Sequence, residues 1–340
     1  MKIKQWLFGL CIMGWMMGSA VMPAFSVPEP PIAKDFESGS LNSLIPLSST
    51  EGRITVVGDS SNVATDLVGD QNNAAGSSGG NRMRGNYYQC DETVALYKQS
   101  MHLGRSQQTA VTFVVYESNT SGGTYSLVAS NVVNAGTGTN LVQSGEINTL
   151  LHAGKYYLIG AAWDASSTYR YYGSPHPVAT SFGQTLSGYG NNIHPAPQTT
   201  SGSTSTLLYP QQLIIADNLV ARLDDSLNDS VGNGYRSPTN SLNMVVDLAG
   251  YSEVYLSFRY RDSQDEQDPE DGVFLSTDGG NNYFLIDGLS DSTLTWKTKV
   301  LDLAAFAATQ GLTLSNSSVI RFQQKDNYGW PSDGREFDDI

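Results

Sequence analysis

The chain has 340 residues, 39% of them hydrophobic, with 33 acidic and 19 basic side chains and a formal net charge of −14. That length is enough for two ordinary domains, and the charge argues against nucleic acid and anionic membrane surfaces as partners. Plentiful Gly, Ser, Thr and Asn with little Lys is the composition of many short strands joined by polar turns.

The N-terminus reads as a leader. Lys2 and Lys4 precede the apolar run Trp6–Met17, and small residues follow. Cleavage is expected after Ala20 or after Ser26, which makes residues 1–26 a secretory signal peptide, too short for a membrane span. Leu10 before Cys11 does not fit a lipoprotein site. With no second apolar run, the mature chain is expected to be exported and to carry no membrane span. Only Cys90 then remains, so no disulfide can form within the chain.

Val27–Ile32 is a Pro-rich spacer, followed by DFESG at 35–39 and the short strand pattern GRITVV at 52–57. Residues 58–81 are polar and rich in Gly, Ser and Asn, and read as a loop or linker. A β region extends from about Met83 to Ile215. Its predicted strands are Val94–Leu103, Ala110–Glu117, Tyr125–Ser130, Tyr156–Trp163, Tyr169–Tyr172, Val178–Phe182 and Leu207–Ile215. Asn191–Ser205 is a Pro-, Ser- and Thr-rich loop. From Asp217 the chain turns acidic, residues 217–340 holding 21 of the acids and 9 of the bases. Tyr251–Gly288 reads as strand, acidic loop, strand, tight turn, strand. Val254, Leu256 and Phe258 alternate with Tyr255, Ser257 and Arg259, and the whole stretch predicts one long hairpin. Asp302 is placed to cap a helix over Leu303–Gln310 that Gly311 stops. Arg335–Ile340 reads as a strand just begun, so the natural product is expected to run past Ile340.

Five segments carry a resemblance: DFESG at 35–39, LDDSLNDS at 223–230, VDLAGYSEVYLSFRYRD at 246–262, DGVFLSTDGG at 271–280 and IRFQQKDNYGWPSDGREFDDI at 320–340. Together they are similar to the MAM-like, concanavalin-like jelly-roll sandwiches of large secreted bacterial proteins. The resemblance implies a non-catalytic module for adhesion or recognition, with DFE as its first strand and FDDI opening its last, side by side. Some related sandwiches hold calcium. The disulfides of animal MAM domains are missing here, so the likeness is to the bacterial branch. The fold expected is all-β: two jelly-roll-like β-sandwiches, one discontinuous (residues 34–58 plus 215–340), the other (63–214) inserted into it and touching it little. Two sandwiches in series are the alternative.

No chemistry-bearing motif gives a catalytic reading. His-Glu-x-x-His, the phosphate loop and the dinucleotide fingerprint are all missing. Gly76-Ser77-Ser78-Gly79-Gly80 matches Gly-x-Ser-x-Gly in letters but sits in polar sequence rather than between a strand and a helix. His102, His152, His176 and His194 show no metal-ligand spacing with an acid. Cys90 lacks basic neighbours and reads as a structural thiol. Ser276–Tyr283 fits the Asp-box pattern, in which Asp278 staples a turn and Tyr283 packs inward. Six of the ten residues 262–271 are acidic and read as a solvated run or a cation loop. A better calcium site combines Glu37, Asp224, Asp225, Asp338 and Asp339, whose apolar neighbours would hold them against the sandwich. Carboxylates brought together there need a cation or hydrogen bonds from turn amides. Tyr169 and Tyr171 share a strand face suited to packing or to stacking on sugar, and Trp163 reads as core.

The function expected is extracellular binding or adhesion by an exported, non-enzymatic protein, with a glycan or a surface protein as ligand and calcium as a structural ion. The alternative is the non-catalytic accessory region of a secreted hydrolase, protease or glycosidase, whose catalytic domain lies outside this chain.

Overall fold

The computed structural model describes residues 36–41, 44–48, 52–70, 75–173, 176–201, 204–225, 238–262, 267–290, 294–325 and 334–340. The stretch read as a signal peptide, residues 1–26, and the Pro-rich spacer lie outside the described residues.

Alternating apolar and polar residues build four antiparallel sheets. The front sheet runs, in spatial order, Gly52–Gly58, Leu219–Asp225, Arg335–Asp338, Tyr255–Asp262 and Lys297–Asp302. The back sheet runs Ile45–Ser48, Thr239–Val246, Ser318–Lys325, Gly272–Ser276 and Phe284–Asp287. Inward side chains of both meet in one core. Leu223, Phe258, Tyr260 and Phe337 come from the front, and Leu242, Val273, Leu275 and Phe322 from the back. The Phe322 ring lies 5.1 Å from those of both Phe258 and Phe337, and each such buried side chain contributes on the order of 1.5–3 kcal/mol.

The segment before residue 58 belongs to this sandwich by pairing. Ile45 lies opposite Asn243, Gly58 opposite Leu219, and Phe36 is fully buried in the same core as Phe337. Of DFESG, residues 36–39 are described and are not a strand. The Gly39 N–H donates to the Phe36 carbonyl at 2.7 Å, and Gly39 sits at φ 71°, so the backbone turns there.

The other two sheets form a second sandwich. Val94–Arg105 is flanked by Gln211–Ala216 and Ser167–Gly173 in one; Tyr156–Trp163 lies between Arg82–Cys90 and Thr109–Ser118 in the other. Leu96, Leu213 and Ile215 face Tyr88, Val115, Tyr157 and Ile159 across the core. Tyr156–Trp163 is buried on both faces, because Leu186, Ile193 and Ala196 cover its far side along with Tyr87, Tyr116 and Tyr125. A strand covered twice shows a continuous apolar run rather than alternation.

Several expectations are corrected. Residues 58–81 are not simply a linker: Val63–Val68 and Ala75–Gly79 are strands. Each supplies backbone pairing and few buried side chains, so apolar patterning could not mark it. Tyr255–Asp262 and Gly272–Ser276 do not form a hairpin but lie in opposite sheets; only Gly272–Ser276 and Phe284–Asp287 pair across a tight turn. Alternation tells which residues face the core, not which of two sheets carries them. The sandwiches also touch more than expected. Ala95, Ala216 and Leu150 of the second pack against the core of the first, and a Cβ added at Gly58 would lie 2.6 Å from the Cβ atoms of Ala95 and Ala216. Helix Leu303–Thr309 starts where Asp302 accepts the Ala305 N–H at 2.9 Å, and Gly311 follows at φ 68°.

Candidate functional site

The front sheet turns Leu223, Phe258, Tyr260 and Phe337 inward, so the residues between them face outward. The register sets Thr55, Arg222, Glu336 and Arg261 side by side across four strands. Trp296 stands next in that row, just before Lys297, the partner of Tyr260. Five strands at about 4.8 Å spacing make the row roughly 19 Å long.

The row is an ion-pair ladder. Arg53 donates to Asp224 from Nε at 2.6 Å and again from Nη2. Arg222 Nε lies 2.9 Å from Asp224 Oδ2, and its Nη1 lies 3.4 Å from Glu336. Arg261 pairs with Glu336 through Nε and with Asp59 at 3.0 Å. Trp296 closes the row: its indole N–H donates to Asp59 at 2.9 Å, and the guanidinium carbons of Arg259 and Arg261 each lie 4.9 Å from its ring. A ring held by one hydrogen bond and two guanidiniums has little freedom to turn.

Beyond Trp296 the sheet opens to solvent. Ser257 lies opposite Val300 and Tyr255 opposite Asp302; Tyr255 is 62% exposed and Val300 63%. Arg259 sits between this strip and the ladder, 3.6 Å from Asp338 and 3.5 Å from Asp339. At the other end of the row, Arg53, Thr55 and Arg222 form one wall of a cleft of about 390 Å³ whose second wall is residues 146–150 of the second sandwich.

The five carboxylates read as a calcium set lie along this sheet, apart from one another in function. Glu37 accepts the Leu219 backbone N–H at 3.1 Å. Asp224 is fully buried between Arg53 and Arg222, and burial raises its carboxyl against the pull of both arginines. Asp225 pairs with Gly52 through its backbone, and its side chain lies outside the described residues. Asp338 is raised by burial and by the charge of Asp339, and accepts from Asn218 at 3.4 Å. Among the described residues no three His, Cys, Asp or Glu are arranged to hold a metal ion. The arginines that neutralise these acids were not read from the sequence, although Arg222 and Asp224 on one strand were a visible signal.

Within the acidic run, Asp262 and Asp271 are buried rather than solvated, each beside Arg335. Tyr169 packs in the core of the second sandwich against Trp163, with Arg84 stacked 4.8 Å from its ring, and Tyr171 packs beside it. On the outer face of the front sheet the aromatics open to solvent are instead Tyr255 and the half-buried Trp296. Alternation sets Tyr255 on the face opposite Leu256 and Phe258, and that face is open to solvent here. Burial pushes the Cys90 thiol up to about 12, as a structural thiol requires. Ser78 lies on a strand with its hydroxyl 2.9 Å from Thr168, not on an elbow. His176 Nδ1 lies 2.9 Å from the Thr185 hydroxyl.

The Asp-box turn is stapled as expected. Asp278 Oδ1 accepts the backbone N–H groups of Asn281 at 3.0 Å and Asn282 at 2.9 Å, and the Ser276 hydroxyl at 2.7 Å. Tyr283 does not enter the core; its ring stacks on the Arg321 guanidinium at 3.6 Å on the outer face of the back sheet. Hydrogen bonds from Asn282 hold the Asp278 carboxyl down at about 2. A depressed folded value means that the staple's contribution is complete above the ordinary Asp range near 4 and is lost as pH falls through about 2. NMR titration of the Asp278 carboxyl carbon should therefore give a midpoint near 2; a midpoint near 4 would mean that the staple is not formed in solution.

No family model matches this chain, and no curated protein matches it. Among solved structures it is similar to the N-terminal CBM22-1-CBM22-2 tandem domain of Xyn10C from Paenibacillus barcinonensis, with 11% identity over 91% of this chain and 95% of that one, at a TM-score of 0.20. A likeness that slight has no bearing on what this chain binds.

Proposed function

We propose that this chain is an exported, non-catalytic binding protein of the cell surface or its surroundings. In this reading the sandwich of residues 34–58 and 217–340 is the host, related to the MAM-like jelly rolls of secreted bacterial proteins, and residues 63–216 are inserted into it, Gln211–Ala216 being a strand of the inserted sandwich. The ligand is an extracellular glycan, bound on the outer face of the front sheet.

One observation carries the proposal: Trp296 is clamped by Arg259, Arg261 and Asp59 at the border of an open strip bearing Tyr255, Ser257, Thr298 and Val300. Aromatic faces stack on sugar rings, and hydroxyl, guanidinium and carboxylate groups within reach satisfy sugar hydroxyls. A glycan-array screen of the exported chain tests it. Tyr255→Ala is expected to weaken the signal about tenfold, or 1.4 kcal/mol, while leaving the melting temperature unchanged, because Tyr255 is mostly exposed. Trp296→Ala is expected to weaken it further. Equal binding by Tyr255→Ala, Trp296→Ala and the natural chain would remove the strip from the proposal.

Calcium is tested separately, by chelation. Arg53 and Arg222 already neutralise Asp224, and Arg259 lies beside Asp338 and Asp339. Chelator is therefore expected to leave the melting temperature unmoved. A fall that Asp339→Asn abolishes would place a calcium ion at that edge, since an ion held a hundredfold above its dissociation constant adds about 2.7 kcal/mol.

A further inference from the structure

The cleft at the far end of the ladder from Trp296 has a feature that the ion pairs do not explain. Two buried groups on its host wall lack hydrogen-bond partners among the described residues: the Thr55 hydroxyl and Arg222 Nη2. They are neighbours, because Thr55 lies opposite Arg222 in the register. A buried polar group without a partner costs about 1–3 kcal/mol, and such groups are rare in folded proteins unless water or a ligand completes them. Both residues line a space of about 390 Å³, within the range of small-molecule sites, and the two atoms themselves are closed to solvent.

The opposing wall is polar and firmly built. Ser144 and Ile147 are tied by backbone bonds to Gln99 and Tyr97, and Asn148 Oδ1 accepts the Gly58 N–H at 2.9 Å. Tyr97 donates its hydroxyl to Glu146. The charges at the cleft nearly cancel: Arg53 and Arg222 face Asp224, Glu336 and Glu146. Both guanidiniums are already neutralised, so an anion gains little, and no acid is left without a cation or hydroxyl beside it to attract a metal. A neutral molecule with several hydroxyls suits such a lining, accepting from Arg222 and Thr55 and donating to Glu146.

We infer that this cleft is a second binding site, taking one ring of a neutral saccharide between the two sandwiches. Access requires the half-exposed Arg53 side chain to swing aside, since Thr55 and Arg222 form the floor. The site shares its ligand class with the proposed outer strip but no residue with it.

Calorimetric titration of the exported chain with glucose, galactose, mannose, xylose and N-acetylglucosamine, each to millimolar concentration, tests the inference. At least one sugar is expected to bind both the natural chain and Tyr255→Ala with equal affinity. Thr55→Val should weaken that binding about tenfold, the loss of one hydrogen bond, and should not lower the melting temperature, because its hydroxyl has no partner in the protein to lose. Thr55→Trp, which fills the cleft, should abolish it. Binding that survives Thr55→Trp, or binding lost in Tyr255→Ala alone, overturns the cleft and leaves the strip standing. Absence of binding by all five sugars overturns the cleft as well. The array result with Tyr255→Ala then decides the strip by itself.

Discussion

Replacing Arg335 with Met is expected to destabilise the first sandwich by about 3–5 kcal/mol, the cost of stripping a buried ion pair of one partner. Arg335 is fully buried and points inward from the front sheet beside Leu223 and Asp262. Its Nη2 lies 3.0 Å from Asp271 and 3.9 Å from Asp262, and its Nη1 donates to the Leu289 carbonyl at 3.2 Å. Asp271 comes from the start of a back-sheet strand, so the guanidinium ties the two sheets together. Asp271 also accepts the backbone N–H groups of Lys325 at 2.7 Å and Asp268 at 2.9 Å. Without Arg335, two fully buried carboxylates lose their cation.

The pH dependence of that loss has a definite sign. Burial already raises the Asp271 carboxyl, and the Arg335 charge opposes the rise. Removing Arg335 raises it further. A group whose folded value lies above its unfolded one makes the native state take up protons as pH falls, so stability is lost as pH rises through the folded value. The deficit of Arg335→Met should be full at neutral pH and shrink towards about pH 4, the ordinary Asp range. Combining it with Asp262→Asn and Asp271→Asn should restore much of the stability at neutral pH. Urea denaturation reads all of this, and an Arg335→Met chain as stable as the natural one at neutral pH would refute the argument.

How much of this was legible in the sequence depends on what each residue's signal was. Tyr156–Trp163 and the helix cap at Asp302 were found to the residue or nearly so, because apolar runs and caps are local properties. Arg82–Cys90 and Gly183–Asn191 escaped. Their Asn, Gln, Gly and Ser residues are held in the sheets by bonds such as Asn86 and Tyr88 donating to Gln211, which leave no periodic trace. The acids of the front sheet were legible as a group, but not their partners. Arg53 meets Asp224 from 171 residues away, and Arg259 reaches Asp338 across a strand pair that local patterning cannot foresee. The cleft could not be read at all, because its walls come from strands and a loop brought together only by the docking of two sandwiches.

Phe36→Ala should cost about 3–5 kcal/mol, the usual penalty for emptying a buried phenylalanine site, although most of the large side chains of its core lie beyond the inserted stretch. Phe36 is fully buried in the core that contains Phe258, Phe322 and Phe337. The turn that carries it also places Glu37 on the Leu219 N–H, at the start of the strand that follows the second sandwich. If residues 34–58 are structurally part of the host, the cavity must be felt there first. Hydrogen exchange in moderate urea should then show earlier loss of protection in Leu219–Asp225, Tyr255–Asp262 and Ser318–Lys325. Thr109–Ser118 and Tyr156–Trp163, which share no core with Phe36, should keep theirs to higher urea. Two sandwiches in series make the opposite forecast, in which a change at residue 36 weakens Thr109–Ser118 and Tyr156–Trp163 and spares the strands after 217. Protection lost in that order would end the nested reading, because a cavity destabilises first the unit whose packing it removes.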